Sequence, residues 1–143
     1  MTRAVIDTNV LIRYLIRPGA AVREIIEQLW VDEQFVMFTS PELLAELEDV
    51  LARPRIRKLI HAEDADALLE AIRLRAQIIP AVDTTPQYTR DRKDDKFVAC
   101  AIAGRADYLV TTDDDILVLG ELGGVRFVTP YAFVQAIPQP DGP

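Results

Sequence analysis

The sequence is poor in several residues on which common catalytic and structural classes depend. Its 143 residues include one cysteine and one histidine, Cys100 and His61. A single cysteine excludes an intramolecular disulfide and points to a reducing cytoplasm, and a single histidine excludes mechanisms that need a histidine pair. No apolar run approaches the roughly 18 residues that a membrane helix needs, and Asp7 lies where a signal peptide would have its apolar core. We therefore expect a cytoplasmic protein without a membrane span.

The chain also lacks the overall basic charge that is typical of nucleic-acid-binding proteins. Its net charge is −7 and its isoelectric point is about 4.7, which taken alone argues against such a partner. The basic residues are nevertheless concentrated in two places. The first basic run is Arg53, Arg55, Arg57 and Lys58, and the second basic run is Arg90, Arg92, Lys93 and Lys96. Each run is equally consistent with a solvated surface and with a phosphate-binding surface.

Short apolar segments alternate with helical patterns along the chain. The patterns predict strands at 3–7, 35–39, 78–82, 108–111 and 125–129. They predict helices at 10–16, 20–32, 40–52, 63–77, 94–103 and 130–137, a polar loop over 84–93 and a short helix that ends near 119. This alternation predicts an α/β fold with a parallel sheet. We expect one domain over 1–137 and a disordered tail over 138–143.

Acidic residues follow two of the predicted strands. Asp7 ends the first strand, and Asp113 follows the strand at 108–111. Parallel strands place their carboxyl ends at one edge of the sheet, which also receives the helix that begins at Asp94 and Asp95. Carboxylates gathered there would repel one another unless a cation intervenes, and Mg²⁺ or Mn²⁺ prefers such ligands. The sequence therefore predicts a shared metal site, with Asp7 as its strongest candidate because an acid after a buried strand is costly unless paired.

For the remaining acids the sequence leaves alternatives open. Aspartates at helix N-termini commonly act as caps, an alternative that applies to Asp94, Asp95, Asp113, Asp114 and Asp115. On the helix at 40–52, Glu46 and Glu48 lie on opposite flanks of the apolar stripe. Periodicity does not choose between these two glutamates, and either one is also consistent with a solvated helix face.

Four segments resemble the PIN-domain family, in particular its VapC-like bacterial toxins. The segments are 5–10 (VIDTNV), 40–48 (SPELLAELE), 91–101 (DRKDDKFVACA) and 107–115 (DYLVTTDDD). They occur in the order and at the spacing of that family, and 125–137 looks like its closing strand and helix. The resemblance implies a single-domain, three-layer α/β/α PIN-like fold with a central, mainly parallel sheet.

The same resemblance implies a metal-dependent endoribonuclease that uses Mg²⁺ or Mn²⁺ and leaves 5′-phosphate and 3′-hydroxyl ends. It assigns catalysis and metal binding to Asp7, Glu46, Asp95 and Asp113, with Asp115 as a further metal ligand. Residues expected to orient or support these ligands are Thr8, Asn9, Asp94 and Thr112. From local charge, the candidates for binding RNA phosphates are Arg53, Arg55, Arg57, Arg90, Arg92 and Lys93.

The VapC-like resemblance also implies partners. Such toxins form homodimers and are inhibited by a small antitoxin whose tail blocks the acidic pocket. A stand-alone RNA-processing PIN nuclease would show the same motifs, and so would a catalytically silent PIN module that acts through binding. We expect a toxin of a type II toxin–antitoxin pair, with these two alternatives.

Two other classes share a strand that ends in an acid. A phosphatase of the haloacid dehalogenase type needs a second aspartate two positions after the first, where this chain has Asn9. A signalling receiver domain needs a lysine after its last strand, where this chain has Thr129 and Pro130. Both classes therefore fit the sequence less well than a PIN nuclease does.

Overall fold

The computed structural model describes residues 1–80, 82–83 and 85–137. Its strands are β1 (Thr2–Ile6), β2 (Phe35–Thr39), β3 (Gln77–Ile78), β4 (Tyr108–Val110), β5 (Glu121–Leu122) and β6 (Val125–Val128). Its helices are α1 (Thr8–Ile16), α2 (Ala20–Glu24), α3 (Pro41–Ala52), α4 (Pro54–Arg57), α5 (Ala62–Arg75), α6 (Asp95–Ala103), α7 (Asp114–Leu117) and α8 (Pro130–Ala136). Helix α2 continues as a wider π-helical segment (Ile25–Trp30), and a 3-10 turn (Arg92–Asp94) precedes α6. The tail expected to be disordered, 138–143, lies outside the described residues.

The six strands form one sheet in the order β3-β2-β1-β4-β6-β5. All neighbouring pairs are parallel except β5 with β6. Strands β1 and β4 lie side by side at the centre, with Ile6 opposite Val110 in the register. The residues that follow these two positions, Asp7 and Thr111, therefore leave the sheet together at its carboxyl edge.

Helices cover both faces of the sheet. Along β1, Ala4 and Ile6 belong to the core that packs under α1, the π-helical segment and α5, whereas Val5 belongs to the core under α6. This alternation follows from the two-residue period of a strand, and it buries the central strand on both sides. The predicted three-layer α/β/α fold with a mainly parallel sheet is confirmed. In the part of the chain that the structure describes, no helix has the length and apolarity needed to cross a bilayer.

Helix α3 begins as its sequence predicts. The Ser40 hydroxyl accepts a hydrogen bond from the Leu43 amide at 3.2 Å, and Pro41 occupies the first helical turn. A serine cap followed by proline satisfies a free amide and preorganises the first turn. Because β2 delivers this cap to the carboxyl edge of the sheet, the first turns of α3 lie beside the end of β1.

The structure differs from the prediction mainly in short elements. Among the described residues, the strand predicted at 78–82 corresponds to β3, which has two residues (Gln77–Ile78), and residue 81 lies outside the described part of the chain. The pairing of β3 with β2 continues through one more amide, that of Ile79, which donates to the Thr39 carbonyl at 2.8 Å. Pro80 follows and has no amide hydrogen with which to continue the ladder.

The sequence patterns also miss the hairpin of β5 and β6. Gly123 and Gly124 both have positive φ angles, 59° and 82°, between the paired residues Leu122 and Val125. Two consecutive residues of positive φ form the tight turn that suits a twisted hairpin. The Gly-Gly pair was therefore the available signal for this edge strand.

Candidate metal centre

Asp7 directly follows β1, beside the end of β4, and is almost fully buried, with 2% of its surface exposed. Its Oδ1 accepts a hydrogen bond from the Asn9 amide at 3.0 Å, which caps α1, and its Oδ2 accepts one from the Thr111 hydroxyl at 2.7 Å. Burial raises the pKa of Asp7 above its ordinary value. The two hydrogen bonds oppose this rise, and the negative charges of Glu46 and Asp113 add to it. The carboxylate is thus held rigidly where negative charge is unfavourable.

Thr111 connects the ends of β1 and β4. It is completely buried, and its hydroxyl also accepts a hydrogen bond from the Asp113 amide at 3.0 Å. Thr111, which the sequence analysis did not single out, thus supports the Asp7 carboxylate, and the supporting role expected of Thr112 stays a prediction. The available signal for Thr111 was its position: it directly follows the last residue of β4, as Asp7 directly follows the last residue of β1, and these last residues, Ile6 and Val110, are opposite each other in the register.

Asp113, Asp115 and Asp94 form a group that we call the acidic cluster. One carboxylate oxygen from each lies within 4.8 Å of the others. Asp113 caps α7 by accepting a hydrogen bond from the Asp115 amide at 2.8 Å, which fixes these two residues relative to each other. Burial raises the pKa of Asp94 to about 7, and the charge of Asp113 and a hydrogen bond with it contribute next. Three crowded carboxylates, one of which resists ionisation, suit a divalent cation with oxygen ligands.

Asp95 points elsewhere, although the sequence motif assigns it to the metal. It is 3% exposed, and its Oδ1 accepts hydrogen bonds from the Tyr88 amide at 3.0 Å, the Thr89 amide at 2.7 Å and the Thr89 hydroxyl at 2.9 Å. Its Oδ2 is buried and has no hydrogen-bond partner among the described residues. Successive residues of a helical turn point about 100° apart, and here Asp94 and Asp95 are directed to different neighbours. The structure places Asp94 in the acidic cluster, and Asp95 anchors the preceding loop.

Glu46 reaches the same region from α3. Its Oε2 accepts a hydrogen bond from the Thr8 hydroxyl at 2.7 Å, and its Oε1 lies 2.6 Å from the ammonium nitrogen of Lys96. Thr8 therefore orients Glu46, whereas the backbone of Asn9 orients Asp7. Glu48, on the opposite flank of α3, forms an ion pair with Arg73 on α5. The sequence analysis counted Lys96 only within a basic run, because its contact with Glu46 depends on how α3 and α6 pack.

The two basic runs lie in different positions relative to the acidic cluster. Arg90, Arg92 and Lys93 are exposed and immediately precede Asp94. Arg53 lies seven residues after Glu46, on the order of 10 Å further along the axis of α3, and its guanidinium pairs with Asp49 at 3.0 Å. The second basic run therefore adjoins the acidic cluster, whereas the first lies beyond the far end of α3.

Comparison with known proteins identifies the family. A model of the PIN domain matches residues 3–115, which span every acid of the site from Asp7 to Asp115. The chain belongs to the PIN-domain family. It is also 30% identical, over 117 residues, to the uncharacterized protein MJ1680 of Methanocaldococcus jannaschii, covering 82% of this chain and 74% of that protein.

Membership in the family bears on the chemistry of the acidic cluster. PIN domains are generally nucleases that use divalent metal ions, so membership supports hydrolysis of phosphodiester bonds. The geometry of the acidic cluster also fits such an ion. The pKa of Asp94 is raised beside Asp113, and a cation bound between these carboxylates would offset their repulsion. The similarity to MJ1680 supports the family relationship but gives no information about activity, because that protein is uncharacterized.

Proposed function

We propose that this PIN domain is an endoribonuclease that hydrolyses RNA phosphodiester bonds with Mg²⁺ or Mn²⁺ held by its carboxylates. The observation that carries the proposal is the acidic cluster at the carboxyl edge of the sheet, beside the buried Asp7. Such a concentration of negative charge opposes folding unless a bound cation offsets it. Its position, outside the ends of adjacent parallel strands, is where open α/β folds bind their ligands.

We assign the metal-binding role to Asp7, Asp94 and Asp113, with Asp115 and Glu46 completing the site. This assignment replaces Asp95 by Asp94, because the hydrogen bonds of Asp95 direct it to the loop at 88–89. When bound, such an ion lowers the pKa of a coordinated water and stabilises the negative charge that develops on the phosphate oxygens.

The chain's own side chains orient the site and the substrate. Thr111 fixes the Asp7 carboxylate, and Thr8 fixes that of Glu46. We propose that Arg90, Arg92 and Lys93, which precede the acidic cluster along the chain and are exposed, bind the phosphates that flank the cleaved bond. No histidine or cysteine of the chain takes part in this arrangement.

We further propose the VapC-like role, in which the nuclease is the toxin of a type II pair, acts as a homodimer and is inhibited by a cognate antitoxin. The motif resemblance supports this role. It predicts that expression of the wild-type chain arrests bacterial growth and that Asp7→Asn does not. Normal growth with active, folded wild-type protein would instead favour a stand-alone RNA-processing nuclease.

Cleavage of labelled RNA and DNA strands of one sequence tests the nuclease proposal. The strands are incubated with Mg²⁺, Mn²⁺ or EDTA, using the wild type and Asp7→Asn. Asparagine keeps the shape of Asp7 and removes a buried charge, so the variant is expected to fold. We expect the wild type to cut RNA only with metal, leaving 5′-phosphate ends, and the variant not to cut.

Other outcomes would change the proposal in different ways. Cleavage of DNA alone would retain the metal site and reject the RNA substrate. Equal cleavage in EDTA, or by Asp7→Asn, would reject the site. Absence of cleavage by the wild type across several structured RNAs would favour the silent binding module.

A further inference from the structure

We infer that Lys96 is an internal counter-ion of the candidate metal centre: its ammonium group holds the Glu46 carboxylate when no metal is bound and competes with the metal for it. The inference rests on the proposed function, since it concerns the same site. It gives Lys96 a positioning role distinct from the phosphate-binding role considered for the rest of the second basic run.

The environment of the Lys96–Glu46 ion pair distinguishes it from surface pairs. The two side chains are only 28% and 23% exposed. The other ion pairs among the described residues join side chains that are 43% exposed or more. Reduced exposure weakens screening by solvent, so the attraction between these two charges is screened less than in the other pairs.

Both oxygens of Glu46 are held from different elements. Thr8, on α1, donates to one oxygen, while Lys96, on α6, contacts the other. The charge of Glu46 is thereby kept close enough to raise the pKa of Asp7. Lys96 offsets part of the repulsion that this arrangement creates in the metal-free protein.

The same contact has the opposite effect on metal binding. A divalent cation that binds Oε1 of Glu46 competes with the ammonium group for that oxygen, and the positive charge of Lys96 repels the cation. Removal of Lys96 should therefore destabilise the metal-free protein and strengthen metal binding. If Lys96 had a merely structural role, its removal would lower the stability of the metal-free protein and also weaken metal binding.

Two measurements on the whole chain test the inference: calorimetric titration with Mn²⁺ alone, and thermal unfolding in EDTA. The variants are Lys96→Met, which removes the charge, and Lys96→Arg, which keeps it. Lys58→Met is the matched control, because Lys58 is exposed, makes the same charge change and belongs to the first basic run, beyond the far end of α3 from the acidic cluster. We expect Lys96→Met to bind Mn²⁺ about threefold to tenfold more tightly, which corresponds to about 0.6–1.4 kcal/mol of binding free energy. It should also unfold at a lower temperature in EDTA, whereas Lys96→Arg and Lys58→Met should stay close to the wild type.

The outcomes separate this inference from the proposed function. Unchanged or weaker Mn²⁺ binding by Lys96→Met, with normal binding by the wild type, would overturn the counter-ion role and leave the metal site standing. No Mn²⁺ binding by the wild type would overturn both.

A double variant covers the case in which Lys96→Met does not fold. Glu46→Gln combined with Lys96→Met removes both charges and is expected to fold like Glu46→Gln alone. Failure of the double variant to fold, when Glu46→Gln folds, would assign Lys96 a packing role and overturn the inference.

Discussion

Asp94→Asn should stabilise the metal-free protein while removing its metal binding. The pKa of Asp94 is raised from its ordinary value of 3.8 to about 7. Between these two pH values the folded protein holds a proton that the unfolded chain has released. The wild type therefore loses stability as the pH rises from about 4 to about 7, and this loss stays complete above pH 7. Asparagine carries no titrating proton, so the variant should escape the loss.

The size of the effect follows from the pKa and from the exposure of Asp94. A shift of this size corresponds to about 4 kcal/mol if it is expressed in full. Asp94 is only partly buried, and solvent screening reduces such interactions strongly, so we expect about 1 kcal/mol at pH 8. For a domain of this length, that difference raises the unfolding temperature by about 3–5 °C.

Thermal unfolding of metal-stripped protein at pH 5 and pH 8 measures this difference. The matched control is Asp114→Asn, because Asp114 lies in the same short helix as Asp115 but is exposed and outside the acidic cluster. We expect Asp94→Asn to gain more stability at pH 8 than at pH 5, and the control to show little change. A lower unfolding temperature for Asp94→Asn at pH 8 would refute the reasoning, because it would mean that the charged carboxylate stabilises the fold.

Three further predictions follow from the site. Thr111→Val should lower the free energy of unfolding, measured by urea denaturation, by about 1–3 kcal/mol, because it leaves the Asp7 carboxylate and the Asp113 amide without this partner. Thr112→Val should change the free energy of unfolding little. Asp95→Asn should speed amide hydrogen exchange at Tyr88 and Thr89 by about tenfold, since it weakens the anchor of that loop; unchanged exchange would contradict the anchor. Alanine at Arg90, Arg92 and Lys93 together should make the slope of log binding constant against log salt concentration, measured for RNA in EDTA, less negative by about 2. Alanine at the three arginines of the first basic run should change this slope less. Fluorescence anisotropy measures this slope, and a larger effect of the first run would move the RNA path to the far end of α3.

Much of the fold could be predicted because its pattern is local. The central strands are short apolar runs bounded by polar residues, and their order along the chain favours parallel pairing. The strands at the two edges of the sheet, β3 and β5, were harder to predict, because each contains two residues. Pro80 follows close after β3, and β5 depends on the Gly123–Gly124 turn. Such short elements carry almost no periodic signal.

In the site, too, the residues marked by local sequence could be predicted and those that depend on tertiary contacts could not. Asp7 stands out in the sequence because it ends a buried strand, and that argument needs no tertiary contact. The proposal of Asp94 rather than Asp95 as a metal ligand depends on how the 3-10 turn at Arg92–Asp94 orients the two side chains. The neighbouring residues in the sequence do not reveal that orientation. The contact of Lys96 with Glu46 joins residues fifty positions apart, so only the packing of α6 against α3 brings it to light.

The most direct test of the central claim is RNA cleavage by the wild type, Asp94→Asn and Asp114→Asn, compared in Mn²⁺ and in EDTA. The two variants make the same chemical change at the same edge of the sheet, but only Asp94→Asn alters the acidic cluster. If the cluster holds the catalytic metal, Asp94→Asn should lose cleavage while remaining folded, and Asp114→Asn should cut like the wild type in Mn²⁺ and not in EDTA. Full cleavage by folded Asp94→Asn would contradict the account.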